Sequence, residues 1–260
     1  MYSKTFFKSI FAVLCFIICS NTQSQDRQFY QLNIYTISDK NQEQIIDQYL
    51  ENALLPALKR QNIEKVGVFK SVQNQQDTLS KIYVLVPYRS LSAIPEVSDA
   101  LLNDNTYLSA GKAYIQAQHD QPPYHRIETV LLRAFSSMPV LQTPSLKGEK
   151  KDRIYELRSY ESATEALYRN KVEMFDGGGE TALFHQLGFQ PVFFGEVISG
   201  SRMPNLMYLT TFENMDDRTA HWKAFVASDK WNQIKDLPKY QNNMNHADIW
   251  FLYPAGYSDY

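Results

Sequence analysis

The residues best placed to do chemistry lie in Arg153-Ile154-Tyr155-Glu156-Leu157-Arg158-Ser159-Tyr160. Their period of two predicts a half-buried β-strand, with Tyr155, Leu157 and Ser159 on the core face and Glu156, Arg158 and Tyr160 on the other. A carboxylate, a guanidinium and a phenol in one row suit an anionic or enolisable ligand. Arg158 would grip an anion through two bonds, Tyr160 would help hold it, and Glu156 would act as general base if burial raised its pKa. The plainer reading is an Arg–Glu pair satisfying itself between two sheets.

A second group is Arg218-x-x-His221-Trp222-x-x-Phe225. Helical spacing puts Arg218, Trp222 and Phe225 on one face with His221 beside them. Arg218 would stack on Trp222 or neutralise Glu213 or Asp229. His221 is the candidate for proton transfer, against the plainer reading of a surface or capping histidine. Trp222, Trp231 and His185 join Arg218 as candidate ligand-binding residues. His246-Ala247-Asp248 offers two metal ligands on one strand face, but without an HExxH or HxH pattern no metal is expected. The run Asp176-Gly177-Gly178-Gly179-Glu180 follows a helix and lacks a following Lys-Ser/Thr, so it ends that helix with a C′ glycine rather than cradling phosphate; a mobile flap is the alternative. There is no Gly-x-Ser-x-Gly nucleophile motif.

These residues sit in the second of two similar units. Phe29-Tyr30-Gln31-Leu32-Asn33-Ile34-Tyr35 aligns with 154–160, so that Gln31, Asn33 and Tyr35 stand where Glu156, Arg158 and Tyr160 do. Both units continue with a helix (42–61, with Pro56 as a kink or break, and 162–175, followed by a short helix over 180–187). Paired strands follow (66–72 with 81–88, and 190–198 with 205–212). A second helix (90–102 and 215–227), a shorter one (107–118 and 230–234) and a last strand (127–134 and 247–252) complete each unit. The order β-α-β-β-α-β is ferredoxin-like. Each unit leaves one sheet face bare, so the expected α+β fold is an intrachain pseudo-dimer: two sheets packed face to face or closed into a barrel. The expected divisions are a leader (1–24), a first repeat (25–135), an exposed tether (136–152) rich in proline and charge, and a second repeat (153–260).

The leader follows from Lys4 and Lys8, an apolar run from Ile10 to Cys19 and a small-residue exit at Thr22 and Ser24, the pattern of a cleaved signal peptide. A lipid anchor on Cys19 is the alternative, although Ile18 before it is not small. The expected location is periplasmic or secreted. Cys15 and Cys19 are the only cysteines, which leaves the mature chain without a disulfide or a thiol nucleophile. Loss of Lys4 and Lys8 takes the net charge from −2 to −4. With no basic cluster and no later apolar run long enough to span a bilayer, neither nucleic acid nor a membrane is an expected partner of the mature form.

The second unit resembles the NIPSNAP family. The resemblance is carried by Tyr155-Glu-Leu-Arg-Ser-Tyr160, Leu187-Gly-Phe-Gln-Pro-Val192, Asn205-Leu-Met-Tyr-Leu-Thr-Thr-Phe-Glu213, the Arg218 to Phe225 motif, Trp231 and Tyr257-Ser258. The first unit looks like a diverged relative whose helix lacks the Arg, His and Trp. The resemblance implies membership of the dimeric α/β-barrel superfamily, which includes cofactor-free monooxygenases, haem-handling enzymes and isomerases. Among these residues nothing selects a haem, and no cofactor is expected. Two functions stay open: small-molecule binding in a polar pocket of the second repeat, with oxygenation or isomerisation as its chemistry, and a non-catalytic interaction or oligomerisation module. A homo-oligomer fits either.

Overall fold

The structure is a computed structural model describing residues 26–72 and 79–260; the leader, its cut site and its lipid-anchor alternative lie outside them. The first repeat contains β1 (Phe29–Ile37), α1 (Lys40–Tyr49), α2 (Leu55–Arg60), β2 (Gly67–Ser71), β3 (Ser80–Tyr88), α3 (Ala93–Leu102), α4 (Asn105–Ala110), α5 (Lys112–Ile115) and β4 (Arg126–Ala134). The second contains β5 (Ile154–Glu161), α6 (Glu165–Asp176), α7 (Glu180–Gln186), β6 (Gln190–Ser199), β7 (Asn205–Phe212), α8 (Met215–Ala227), α9 (Asp229–Lys235) and β8 (His246–Pro254). Between α1 and α2 a π-turn spans Leu50–Leu54. Pro56 sits just inside α2. Its missing N–H removes one ordinary helical bond there, and the Leu55 N–H reaches back five residues to Leu50 O.

The eight strands form one closed barrel in the order β1-β3-β2-β8-β5-β7-β6-β4. Within each repeat the order is that of a ferredoxin-like sheet, and all the pairings are antiparallel. Two seams join the repeats. At one, Phe69, Lys70 and Ser71 pair with Pro254, Tyr253 and Leu252; at the other, 131–134 pair with 195–199 across a bulge.

Each seam is lengthened by the chain that leaves the repeat. After β8, Ala255 N–H donates to Val68 O (2.9 Å) and Asp259 N–H to Val66 O (3.2 Å), while Ser258 Oγ accepts from Val68 N–H (2.9 Å). After β4, Phe135 N–H donates to Phe194 O and Gln142 N–H to Val192 O, both 3.0 Å. The expected exposed tether is therefore a packed strap. Met138 and Leu141 are buried, and Glu213 accepts from the backbone N–H groups of Lys147 and Gly148. Proline and charge mark a loop, but these backbone groups find partners on both repeats.

Three apolar layers result. The lumen is filled by inward residues of both repeats, among them Tyr30, Leu32, Phe69, Leu85, Tyr155, Leu157, Phe193 and Leu209, as expected of an eight-stranded barrel just wide enough for side chains. The helices of each repeat pack on the outer surface of its own sheet in two further layers. This corrects one expectation: β5 is buried on both faces, not half-buried. Tyr155 and Leu157 point into the lumen, and Glu156, Arg158 and Tyr160 point out towards the helices. Ser258→Ala strands the buried Val68 N–H at the shorter seam. It should lower stability by about 1–3 kcal/mol, read as a drop in the urea midpoint.

Candidate functional site

Glu156 is fully buried and is the hub of the outer layer of the second repeat. Its Oε1 accepts from Arg158 Nε (2.6 Å) and Arg218 Nη2 (3.1 Å), and its Oε2 from Arg218 Nε (2.7 Å) and Trp222 Nε1 (3.0 Å). Arg218 thus neutralises Glu156, not Glu213 or Asp229. It reaches the hub because α8 starts at Asn214, whose side chain caps Asp217 N–H, and places Arg218 and Trp222 one turn apart. Burial opposes the Glu156 charge, but the Arg218 hydrogen bonds and the Arg158 and Arg218 charges outweigh it and hold the carboxyl below its ordinary value. The burial-raised base expected from the sequence is not formed here: this carboxylate is ionised and saturated.

Arg158 lies with its guanidinium carbon 3.7 Å from the centre of the Trp222 ring and donates from Nη1 to Tyr160 Oη (2.7 Å). Burial works against its charge, but Tyr208, Tyr160 and Glu156 outweigh burial and raise its pKa. Tyr160 Oη shares a 2.8 Å hydrogen bond with Tyr208 Oη. Both phenols are pushed up, chiefly by burial.

Above this row opens a cleft of about 370 Å³. Arg158, Tyr160 and Trp222 face it from below, together with Arg218 and Phe225. Trp231 on α9 packs against Phe225 at 4.9 Å between ring centres and lines the cleft, with Val226 (62% exposed) and Met244 (41% exposed) at the rim. Its remaining wall is Lys171 on α6 and Glu180 on α7, two residues outside the motifs of the sequence. They are 5% and 3% exposed. Lys171 Nζ stands 3.7 Å from Glu180 Oε2 and 4.8 Å from the Phe175 ring centre. Glu180 Oε2 accepts no hydrogen bond. Burial pushes the Glu180 carboxyl up to about 7, offset in part by Lys171 and Arg158. One sequence signal was available: Lys171 falls on the apolar stripe of α6, with Tyr168 and Phe175.

The two remaining candidates lie elsewhere. His221 faces away from the cleft: its Nδ1 lies 2.9 Å from Asp217 O and its ring contacts Phe189 and Phe212. Adjacent helix positions differ by about 100°, so the position beside Trp222 is directed elsewhere. His185 is exposed on α7. The glycine run also differs from expectation. Gly177 caps α6 in the ordinary helical region, and the left-handed residue is Gly179 (φ 94°), which starts α7. At Gly178 a Cβ would sit 2.5 Å from Tyr240 Oη and 2.6 Å from Met174 O.

The β5–β8 register brings Glu161 beside His246 and Asp248, the one group of possible metal ligands found among the described residues. Arg202 lies against it, bonded to Asp248 and 3.4 Å from Glu161 Oε1, so a metal would contend with a resident cation. Hollows of comparable volume occur elsewhere, for example about 410 Å³ beside Asn62 and Tyr88. Volume does not distinguish the cleft; its buried charges do. In the first repeat Tyr35, the counterpart of Tyr160, packs among Tyr114 and Tyr124, and Tyr49 stacks on Tyr114 at 3.8 Å.

The NIPSNAP family profile matches residues 155–259. Over those residues the second repeat is similar to the NIPSNAP family. No curated protein matches the chain. Solved structures align over nearly the whole barrel. One, described as a candidate monooxygenase from Lactobacillus acidophilus NCFM, covers 88% of this chain and 94% of its own at 11% identity, with a TM-score of 0.55. An anthrone oxidase-like protein covers 89% and 93% at 9% identity, with a TM-score of 0.51. A NIPSNAP family protein of unknown function from Agrobacterium tumefaciens aligns over 42% of this chain and 95% of its own at 18% identity, with a TM-score of 0.36. At these identities the full-length likenesses establish the dimeric α/β-barrel fold of the chain and leave its chemistry open.

Two stability tests follow from this candidate site. Glu156→Gln leaves Arg158 and Arg218 buried around a neutral amide and should cost about 3 kcal/mol or more, measured by urea denaturation at neutral pH. Glu180 has the opposite sign. Its folded pKa, about 7, lies above the ordinary 4.5, so it weakens the fold progressively as pH rises above 4.5 and fully only above 7. The full penalty is about 3 kcal/mol. Between about pH 5 and about pH 8, wild type should lose stability that Glu180→Gln keeps.

Proposed function

We propose that the cleft of the second repeat binds a small aromatic or enolisable molecule bearing an acidic or hydroxyl group. The observation that carries this reading is that a guanidinium and an ammonium, Arg158 and Lys171, are both buried in the lining of one cleft, with indole and phenol rings, beneath an apolar rim. Buried cations beside aromatic faces suit a flat anion or a polar group conjugated to a ring. Ligand sites are typically apolar hollows with a few convergent polar groups. Cofactor-independent oxygenation or isomerisation is the chemistry this reading favours; the monooxygenase and anthrone oxidase-like names of the structural neighbours support it by analogy of fold. An exported protein is part of the same reading, supported by the signal-peptide pattern of the sequence over 1–24.

A specific observation favours the non-catalytic reading as well. The Glu156–Arg158 pair closes on itself, with Arg218 and Trp222 completing it, so that part of the motif is a strut whichever function holds. The two readings separate at the rim. With anilinonaphthalene sulfonate, a fluorescent aromatic anion, as probe, Val226→Glu should weaken binding roughly tenfold or more by placing a carboxylate in the mouth. Leu102→Glu, at a 65% exposed position on the first repeat, should leave binding unchanged. Equal binding by wild type and Val226→Glu would remove the cleft as the site.

A further inference from the structure

Glu180 is hard to explain as packing. It is a carboxylate almost without solvent contact, it lines a cleft, and one of its oxygens has no hydrogen-bond partner. A structural buried acid is normally saturated, as Glu156 is a few residues away in space. Lys171 stands too far off to be its hydrogen-bond donor, at 3.7 Å from Oε2, and among the described residues its Nζ has Met174 Sδ within reach, at 3.5 Å. Acid and base therefore face each other across a gap beside open space, each with bonding capacity in reserve.

We propose that Glu180 receives the hydroxyl hydrogen of a phenolic or enolic ligand, while Lys171 holds the same ligand oxygen. The assignment rests on the cleft reading above and deepens it. A ligand O–H meets Glu180 Oε2, an acceptor; the ligand oxygen keeps lone pairs to accept from the Lys171 ammonium. On transfer, the ligand O–H bond breaks and an Oε2–H bond forms. The electron pair stays on the ligand oxygen, opposite the charges of Lys171 and Arg158. This pair replaces Glu156 and His221 as the proton-handling groups, since Glu156 is saturated and His221 faces Phe189 and Phe212. The groups that face Glu180 are Lys171 from α6, Arg158 and Tyr160 from β5 and Tyr208 from β7. Arg158 and both tyrosines have raised pKa values and do not change charge near neutrality.

The probe is 1-naphthol, a fluorescent phenol still largely un-ionised at the upper end of the range used. Its hydroxyl favours ionised Glu180, so wild-type affinity should rise roughly threefold to tenfold from about pH 6 to about pH 8, with a midpoint near 7. Glu180→Gln should bind at the weak, acidic-side level with no pH dependence over that range. Lys171→Met should move the midpoint upward, because Lys171 lowers the Glu180 pKa. A flat wild-type profile, or a profile kept in Glu180→Gln, overturns the assignment. Val226→Glu separates the two proposals. If it abolishes 1-naphthol binding while Glu180→Gln changes nothing, the cleft stands and the role of Glu180 falls. If it changes nothing, both fall.

Discussion

The structure depends on one geometrical debt: a ferredoxin-like sheet with helices on one side has a bare face and two open edges. Here each repeat settles both for the other. The bare faces meet as the barrel lumen, and the edge strands β2 and β6 pair with β8 and β4. Closure is the form of cover that removes sheet edges altogether. The seams are short compared with the ladders inside each repeat, which explains why the segments after β4 and β8 are both drafted to extend them. The strap between the repeats and the C-terminal segment are thus equivalent parts of a pseudo-symmetric pair, each leaving its own repeat to bond with the other.

Closure also decides where chemistry can sit. The eight-stranded lumen is largely filled by its own side chains, and the hollow left at one end, beside Glu128, Arg202 and Trp250, holds only about 60 Å³. The outer layer, between sheet and helices, is the place where a cleft and buried charge can coexist. In the first repeat tyrosines pack around Tyr35 in that layer. In the second, the Glu156 hub draws α8 onto the sheet through Arg218 and Trp222, and the cleft opens beyond it towards α6, α7 and α9. The hub positions the wall that faces Lys171 and Glu180.

Much of the fold was legible because its signals were local. The repeat, the order of elements and the α8 boundaries, 215–227 in both sequence and structure, follow from alternation and helical spacing. Closure was left open, since alternation cannot tell a strand covered on both faces from one half-buried. The site was legible where a motif pointed at it: Arg158, Tyr160, Arg218, Trp222 and Trp231 all line the cleft. Lys171 and Glu180 carry no such motif: a charged residue on an amphipathic helix reads as solvated, and Glu180 borders a glycine run whose pattern suggests only a helix end. His221 was placed by proximity in sequence to Trp222, which a helix does not convert into a shared direction.

The Glu156 hub also bears on how the two halves diverged. One carboxylate, two guanidiniums and an indole sustain one another in the second half, while the first carries the neutral Gln31 and Asn33 at the matching strand positions. A carboxylate or guanidinium of the quartet left alone in that buried layer would be an uncompensated charge costing several kcal/mol. The four therefore stand or fall together: removing one charge leaves its partners unpaired, and building the set requires several residues at once.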